Sequence, residues 1–277
     1  MEEQTQAAGL PQAFTEVMSR ILGDEYPAFS DSFTLPRRNS LRVNTLRIRP
    51  EALRELVPGL MEKVPWTEDG FYYDRSLFPA SRHPFYQAGL YYLQEASAMA
   101  PAAILAPQPG ERVLDLCAAP GGKATAIGAA LRGEGLLIAN EIRLPRAKAL
   151  LRNLEVFGIR NALVTSAVPA RLTEQLAGTM DAVLVDAPCS GEGMFRRDPE
   201  AVRDWSPEKV AECAAIQRDL VLRAADALRP GGRMVYSTCT FAPEENEAVI
   251  AHLLAERPEL ELLEVPQADL FAPGLSA

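Results

Sequence analysis

From Glu111 onward the chain alternates short apolar runs with amphipathic ones, and that alternation limits the fold more than any other feature. Val113 to Cys117, Leu136 to Asn140, Ala162 to Thr165 and Ala182 to Val185 read as buried strands, and Arg229-Pro-Gly-Gly turns into a fifth. Leu260 to Val265 reads as a sixth. Ala124 to Leu131, Pro145 to Phe157, Ser206-Pro207 to about Leu228, and Pro243 to Glu256 read as helices between them. Ser206 supplies a cap and Pro207 the first helical position. Alternation of this kind predicts an α/β fold with a mostly parallel, doubly wound, Rossmann-like sheet. Such sheets hold ligands beyond the carboxyl ends of their strands.

The region before Glu111 follows another pattern. Residues 1 to about 33 carry Ala13, Phe14, Val17, Met18, Ile21 and Leu22 at helical spacing. Leu41 to Ile48 alternates as a strand does, Glu51 to Leu56 suggests a short helix, and Trp66 to Tyr73 a second strand with a turn at Gly70. These elements predict a small N-terminal α+β module over residues 1–84. Phe85 to Leu105 reads as one amphipathic helix, giving a linker over 85–110, and 111–277 forms the Rossmann-like domain.

Composition excludes several classes. No apolar run reaches the length of a membrane span, and Met1-Glu-Glu-Gln has no signal pattern, so a cytoplasmic location is expected. Cys117, Cys189, Cys213 and Cys239 are scattered, without metal-ligand spacing, and His83 and His252 are the only histidines. No metal site is expected. A net charge of −9 argues against non-specific nucleic-acid binding. The basic residues are clustered, however: Arg37, Arg38, Arg42, Arg47 and Arg49 between Pro36 and Pro50, then Arg143, Arg146, Lys148 and Arg152, then Arg196-Arg197. Phosphate attraction is local at physiological salt, so such a face can bind RNA.

The chemistry gathers at strand ends. Asp181-Ala-Val-Leu-Val-Asp186-Ala-Pro-Cys189 delivers an acid and a thiol, and Arg233-Met-Val-Tyr-Ser-Thr-Cys239 delivers a second thiol. Cys117-Ala118-Ala119-Pro120-Gly121-Gly122-Lys123 follows the first strand and opens a helix, whose N-terminus offers free N–H groups. It is neither G-x-G-x-x-G nor a P-loop. Glu141 ends the next strand, about 20 residues on, where an acid takes ribose hydroxyls. A compact glycine loop with a ribose acid and no pyrophosphate cradle suits S-adenosylmethionine. Asp186 joins the residues expected to line that site.

Three motifs together resemble a known family. Cys117-Ala-Ala-Pro-Gly-Gly-Lys123, Asp186-Ala-Pro-Cys189-Ser-Gly-Glu-Gly and Ser237-Thr-Cys239-Thr-Phe-Ala-Pro-Glu-Glu-Asn-Glu are similar to those of the Nop/Sun family of RNA cytosine-5 methyltransferases. Ser190-Gly-Glu-Gly-Met-Phe-Arg-Arg-Asp, Leu41-Arg-Val-Asn-Thr-Leu and His83-Pro-Phe resemble its bacterial small-subunit methyltransferase F branch. The resemblance implies an RNA-contacting N-terminal module, S-adenosylmethionine as methyl donor, and cytosine in 16S rRNA, free or within the 30S subunit, as substrate. It implies Cys239 as a nucleophile and Cys189 as the thiol that assists its release. Two departures stand out. Thr165-Ser-Ala-Val168 lacks the family's adenine-contacting aspartate, and the family's final sheet strand and further RNA-binding domain have no counterpart in this sequence.

Cytosine carbon 5 is a poor nucleophile until a thiolate adds to carbon 6. A free thiol has a pKa of about 8.5 and needs help to ionise. Lys123 is a candidate helper, or else a cap of the glycine loop. Asp186, holding a proton, would donate to ring nitrogen 3. This requires both sulfurs to reach one compartment, with a gap between them wide enough for a flat ring. A methyltransferase acting on protein or a small molecule, and a non-catalytic ribosome-assembly factor, remain open alternatives. A thiol oxidoreductase is excluded, since Cys189 and Cys239 lack C-x-x-C spacing.

Overall fold

The computed structural model describes residues 9–275. The part of the predicted N-terminal helix at residues 1–8 lies outside them. Two helices follow, α1 (Gln12–Leu22) and α2 (Tyr26–Ser32). A four-stranded antiparallel sheet comes next, from β1 (Asn39–Val43), β2 (Leu60–Lys63), β3 (Gly70–Tyr73) and β4 (Tyr91–Leu93), in the order β2-β3-β1-β4. Helix α3 (Pro50–Leu56) joins β1 to β2, and the short α4 (Pro84–Gln87) precedes β4. Helix α5 (Ala96–Leu105) leads to the larger sheet.

That sheet is parallel throughout. Its strands are β5 (Arg112–Asp115), β6 (Leu136–Asn140), β7 (Ala162–Thr165), β8 (Met180–Asp186) and β9 (Leu228–Ser237), in the order β7-β6-β5-β8-β9. Its helices are α6 (Gly122–Ala130), α7 (Leu144–Phe157), α8 (Pro169–Gln175), α9 (Pro199–Asp204), α10 (Pro207–Ala227) and α11 (Glu247–Glu256). Leu105, Ile127, Leu150 and Leu154 pack one face, and Leu172, Leu220 and Ala224 the other. The strand order reverses between β5 and β8, which opens a crevice beyond Asp115 and Asp186.

Three expectations are corrected. Phe85 to Leu105 is not one helix. Gly89 has φ +68°, and a side chain there would meet the Val156 carbonyl, so the chain turns and Tyr91–Leu93 pairs with β1. Leu260 to Val265 forms no strand: Leu262 and Leu263 are exposed, and this run of glutamates and leucines finds no sheet edge. Leu41 to Ile48 is a strand only to Val43, because the Asn44 side chain accepts from Leu46 N and turns the chain.

Within the arginine-rich segment one residue is corrected, Arg42, while Arg37, Arg38, Arg47 and Arg49 are exposed. β1 is buried on both faces: Leu41 and Val43 fill the small module's core, while Arg42 and Asn44 point into the larger domain. Arg42 is 2% exposed and cannot touch RNA. Arg38 pairs with Glu62 and stacks on Tyr72, and Arg47 donates to the Val156 carbonyl at 2.8 Å.

Candidate active site

β5 ends at Asp115 and the glycine loop carries the chain to α6. Gly121 has φ +117°, a conformation that favours glycine, and it leads directly into the first helical turn. Asn140 ties neighbouring strand ends together. Its amide donates to the Leu116 and Ala167 carbonyls, and its oxygen accepts from Thr165 Oγ1 at 2.8 Å and Ala167 N at 3.0 Å. This network shapes the turn that lacks an acid after β7. Glu141 is buried; it accepts from Arg143 N at 2.8 Å and pairs with Arg146 at 3.0 Å. Those bonds aim the carboxylate and leave acceptor capacity for hydroxyls.

Asp115 lies beneath this loop, fully buried, and neither carboxylate oxygen has a hydrogen-bond partner. Burial, with Asp186 as a like charge nearby, pushes its carboxyl up to about 7. A buried acid without side-chain partners is costly when charged, so Asp115 favours its protonated form and stiffens the base of the crevice rather than facing it. Cys117 is nearly enclosed, and burial pushes its thiol up to about 12, so it packs as a small apolar side chain.

Across the crevice, Asp186 ends β8. Lys123 Nζ donates to its Oδ2 at 2.6 Å and Ser237 Oγ to its Oδ1 at 2.8 Å. Lys123 is thus committed to Asp186. The two thiols meet beside this pair, with Cys189 Sγ 3.3 Å from Cys239 Sγ, and Cys239 N donates to Cys189 Sγ at 3.4 Å. The hydrogen bond from Cys189 is the main cause holding the Cys239 thiol below its ordinary range; the Lys123 charge adds to it and is opposed by burial and Asp186. The same bond, then burial, pushes Cys189 up. The sulfurs do share one compartment, but at 3.3 Å they leave no gap between them for a flat ring, which corrects the expectation of such a gap.

The loops carrying the thiols are bolted together. Gly193 N donates to Cys239 O at 2.8 Å, and Glu192 accepts from Phe241 N at 2.8 Å and Trp205 Nε1 at 3.0 Å. Glu245 accepts from Ser190 N at 3.0 Å and Gln217 Nε2 at 2.7 Å. Ser190 Oγ and Thr240 Oγ1 lie 2.9 Å apart. Over these loops lie α1 and α2. Phe14 packs edge-on to Phe195 and Trp205, and Phe29 to Phe241. The first helices thus pack on the catalytic loops rather than on the small sheet.

Residues 102–274 match the family described as 16S rRNA methyltransferase RsmB/F, and residues 10–96 match the N-terminal domain of 16S rRNA methyltransferase RsmF. The chain belongs to the RsmB/F family. Ribosomal RNA small subunit methyltransferase F of Vibrio vulnificus (strain YJ016) is 43% identical over 256 residues, 88% of this chain and 54% of that protein. The protein of the same name from Escherichia fergusonii is 41% identical over 278 residues, 95% of this chain and 57% of that protein. The chain therefore spans little more than half the length of these curated relatives. A methyltransferase homologue from Pyrococcus horikoshii superposes with a TM-score of 0.80 at 32% identity, covering 89% of this chain and 79% of that one. NSun6 from Pyrococcus horikoshii, solved with the S-adenosylmethionine analogue SFG, has the same fold (TM-score 0.78, 21% identity, 89% and 87% covered).

Within this RsmB/F chain, the sequence-expected residues Cys189, Cys239, Asp186 and Lys123 converge, and the 117–123 loop and Glu141 flank the same crevice. Asp115, Glu192, Glu245 and Gln217 were not singled out from the sequence. Asp115 carried a signal, an acid closing an apolar strand, but it stood unremarked beside the glycine loop.

Proposed function

We propose that this chain methylates carbon 5 of a cytosine in 16S rRNA through a covalent adduct on Cys239. The observation that carries this reading is the pair of sulfurs 3.3 Å apart, set beside the Lys123–Asp186 pair where β8 and β9 end. Cys239 is exposed, as a thiol that must reach a substrate has to be.

S-adenosylmethionine, when bound, supplies an electrophilic methyl on a sulfonium. The glycine loop and the N–H groups opening α6, with Glu141 and Asp186 beside them, are the groups that would hold it. Cys239 thiolate adds to carbon 6, forming a C–S bond and sending an electron pair toward ring nitrogen 3. A proton shared by Lys123 Nζ and Asp186 Oδ2 passes to that nitrogen. Carbon 5 is then nucleophilic and takes the methyl.

Release follows from the same polarity. What raises Cys189 most is its bond with Cys239, and adduct formation removes the charge on that sulfur. Cys189 can then lose its proton to water and accept the one on carbon 5. The C–S bond breaks, Cys239 leaves as thiolate, and ring nitrogen 3 returns its proton to the Asp186–Lys123 pair. The target base leaves its stack to reach these groups. An rRNA substrate, free or in the 30S subunit, implies a cytoplasmic protein.

The N-terminal helices, the small sheet (9–93) and residues 111–275 are read as the RNA-contacting part and the methyltransferase domain. Labelled methyl transfer to 16S rRNA and to 30S subunits, followed by bisulfite sequencing, tests the proposal. A newly protected cytosine is expected. Label on another base, or on protein, would refute it.

A further inference from the structure

We infer that Arg42, from the small N-terminal sheet, is a positioning residue of the cofactor site. The inference rests on S-adenosylmethionine being the ligand of the glycine loop.

Four consecutive carbonyls of that loop are each held by a side-chain donor. Arg146 Nη2 reaches Ala119 O at 3.0 Å, Asn153 Nδ2 reaches Pro120 O at 2.7 Å, Thr125 Oγ1 reaches Gly121 O at 2.7 Å, and Arg42 Nη2 reaches Gly122 O at 3.1 Å. In a trans peptide the following N–H points opposite to the carbonyl. Holding the carbonyls of Pro120, Gly121 and Gly122 outward therefore turns the N–H groups of Gly121, Gly122 and Lys123 to the other side, where α6 opens on the crevice.

Arg42 is the clamp that comes from the other sheet. Its Nη2 also donates to Thr125 Oγ1 at 2.7 Å, so it holds Gly121 through Thr125 as well as Gly122 directly. Nε donates to Gln94 Oε1 at 3.2 Å, and Gln94 and Tyr92 press on Gly122 so closely that a side chain there would meet both. A buried cation beside a helix N-terminus is unfavourable in itself. Asp69 at 3.8 Å and the Phe157 ring at 5.6 Å offset that cost. This arrangement makes the small sheet the back wall of the cofactor loop.

Calorimetric titration of the purified chain with S-adenosylhomocysteine, alongside RNA binding by filter retention, tests this. Thr125→Val keeps the shape but removes the hydroxyl through which Arg42 acts, and Thr125→Ser restores it. Arg42→Lys keeps a charge but loses the fork. Cofactor affinity is expected to fall about tenfold in Thr125→Val and in Arg42→Lys, as for the loss of one buried charged hydrogen bond. It should return in Thr125→Ser, with affinity for RNA alone unchanged in all three. Should Arg42→Lys fail to fold, Arg42→Gln, which keeps a donor but loses the charged fork, decides. Wild-type cofactor affinity in a folded Arg42→Lys or Arg42→Gln would overturn the inference. A wild-type chain that bound no S-adenosylhomocysteine would instead remove the cofactor reading, and the inference with it.

Discussion

Gly193 gives its backbone N–H to the Cys239 carbonyl at 2.8 Å, and a Cβ at Gly193 would stand 2.8 Å from that same oxygen. The turn after one cysteine is thus pressed against the backbone of the other, with no room for a methyl group. Gly193→Ala should force the loops apart at a cost of about 1–3 kcal/mol, typical of overpacking. Turnover should fall by more than the fraction of unfolded protein explains. Thermal melting and the rate of diamide-induced Cys189–Cys239 disulfide formation check this; the second should slow even where the chain remains folded.

The polarity of the thiol pair gives a pH signature. Cys239 is held below the ordinary thiol range, chiefly by the Cys189 hydrogen bond. Its thiolate should therefore persist to lower pH than the usual midpoint of about 8.5. Peptide-level iodoacetamide rates against pH should place its midpoint below that value. In Cys189→Ala the midpoint should rise. A midpoint unmoved by that substitution would mean that Cys189 does not activate Cys239.

Asp115 links pH to stability. Its carboxyl is raised to about 7 in the folded chain, against about 3.9 unfolded. A raised acid favours folding below its unfolded pKa, and this contribution is lost as pH rises through the folded value. The cofactor-free chain should lose stability between about pH 4 and pH 7. Asp115→Asn should flatten that dependence and raise the melting temperature at pH 8 more than at pH 5. Differential scanning fluorimetry across pH reads both.

The larger sheet was legible because its strands carry their own punctuation. Asn140 and Asp186 each close an apolar run at the observed strand end, whereas β5 stops at Asp115, two residues short of the expected Cys117. The motif residues Cys189, Cys239, Asp186 and Lys123 were legible too, being short patterns at such ends. Arg42 was misread because alternation in β1 marks the two faces but not what covers them; its polar face is buried by another domain. Residues 85–110 were misread because apolar content alone hid the turn at Gly89, which answers to a carbonyl in α7. Glu192 and Glu245 join loops 50 residues apart, a pairing that local pattern does not encode.

The account centres on one sulfur bonding to the pyrimidine while its neighbour frees it. Cys189→Ala, incubated with 16S rRNA and S-adenosylmethionine and run on a denaturing gel, tests this most directly. An RNA–protein adduct that survives denaturation is predicted, absent from Cys239→Ala and from the double variant. Normal turnover by Cys189→Ala with nothing trapped, or an adduct formed by Cys239→Ala, would contradict it.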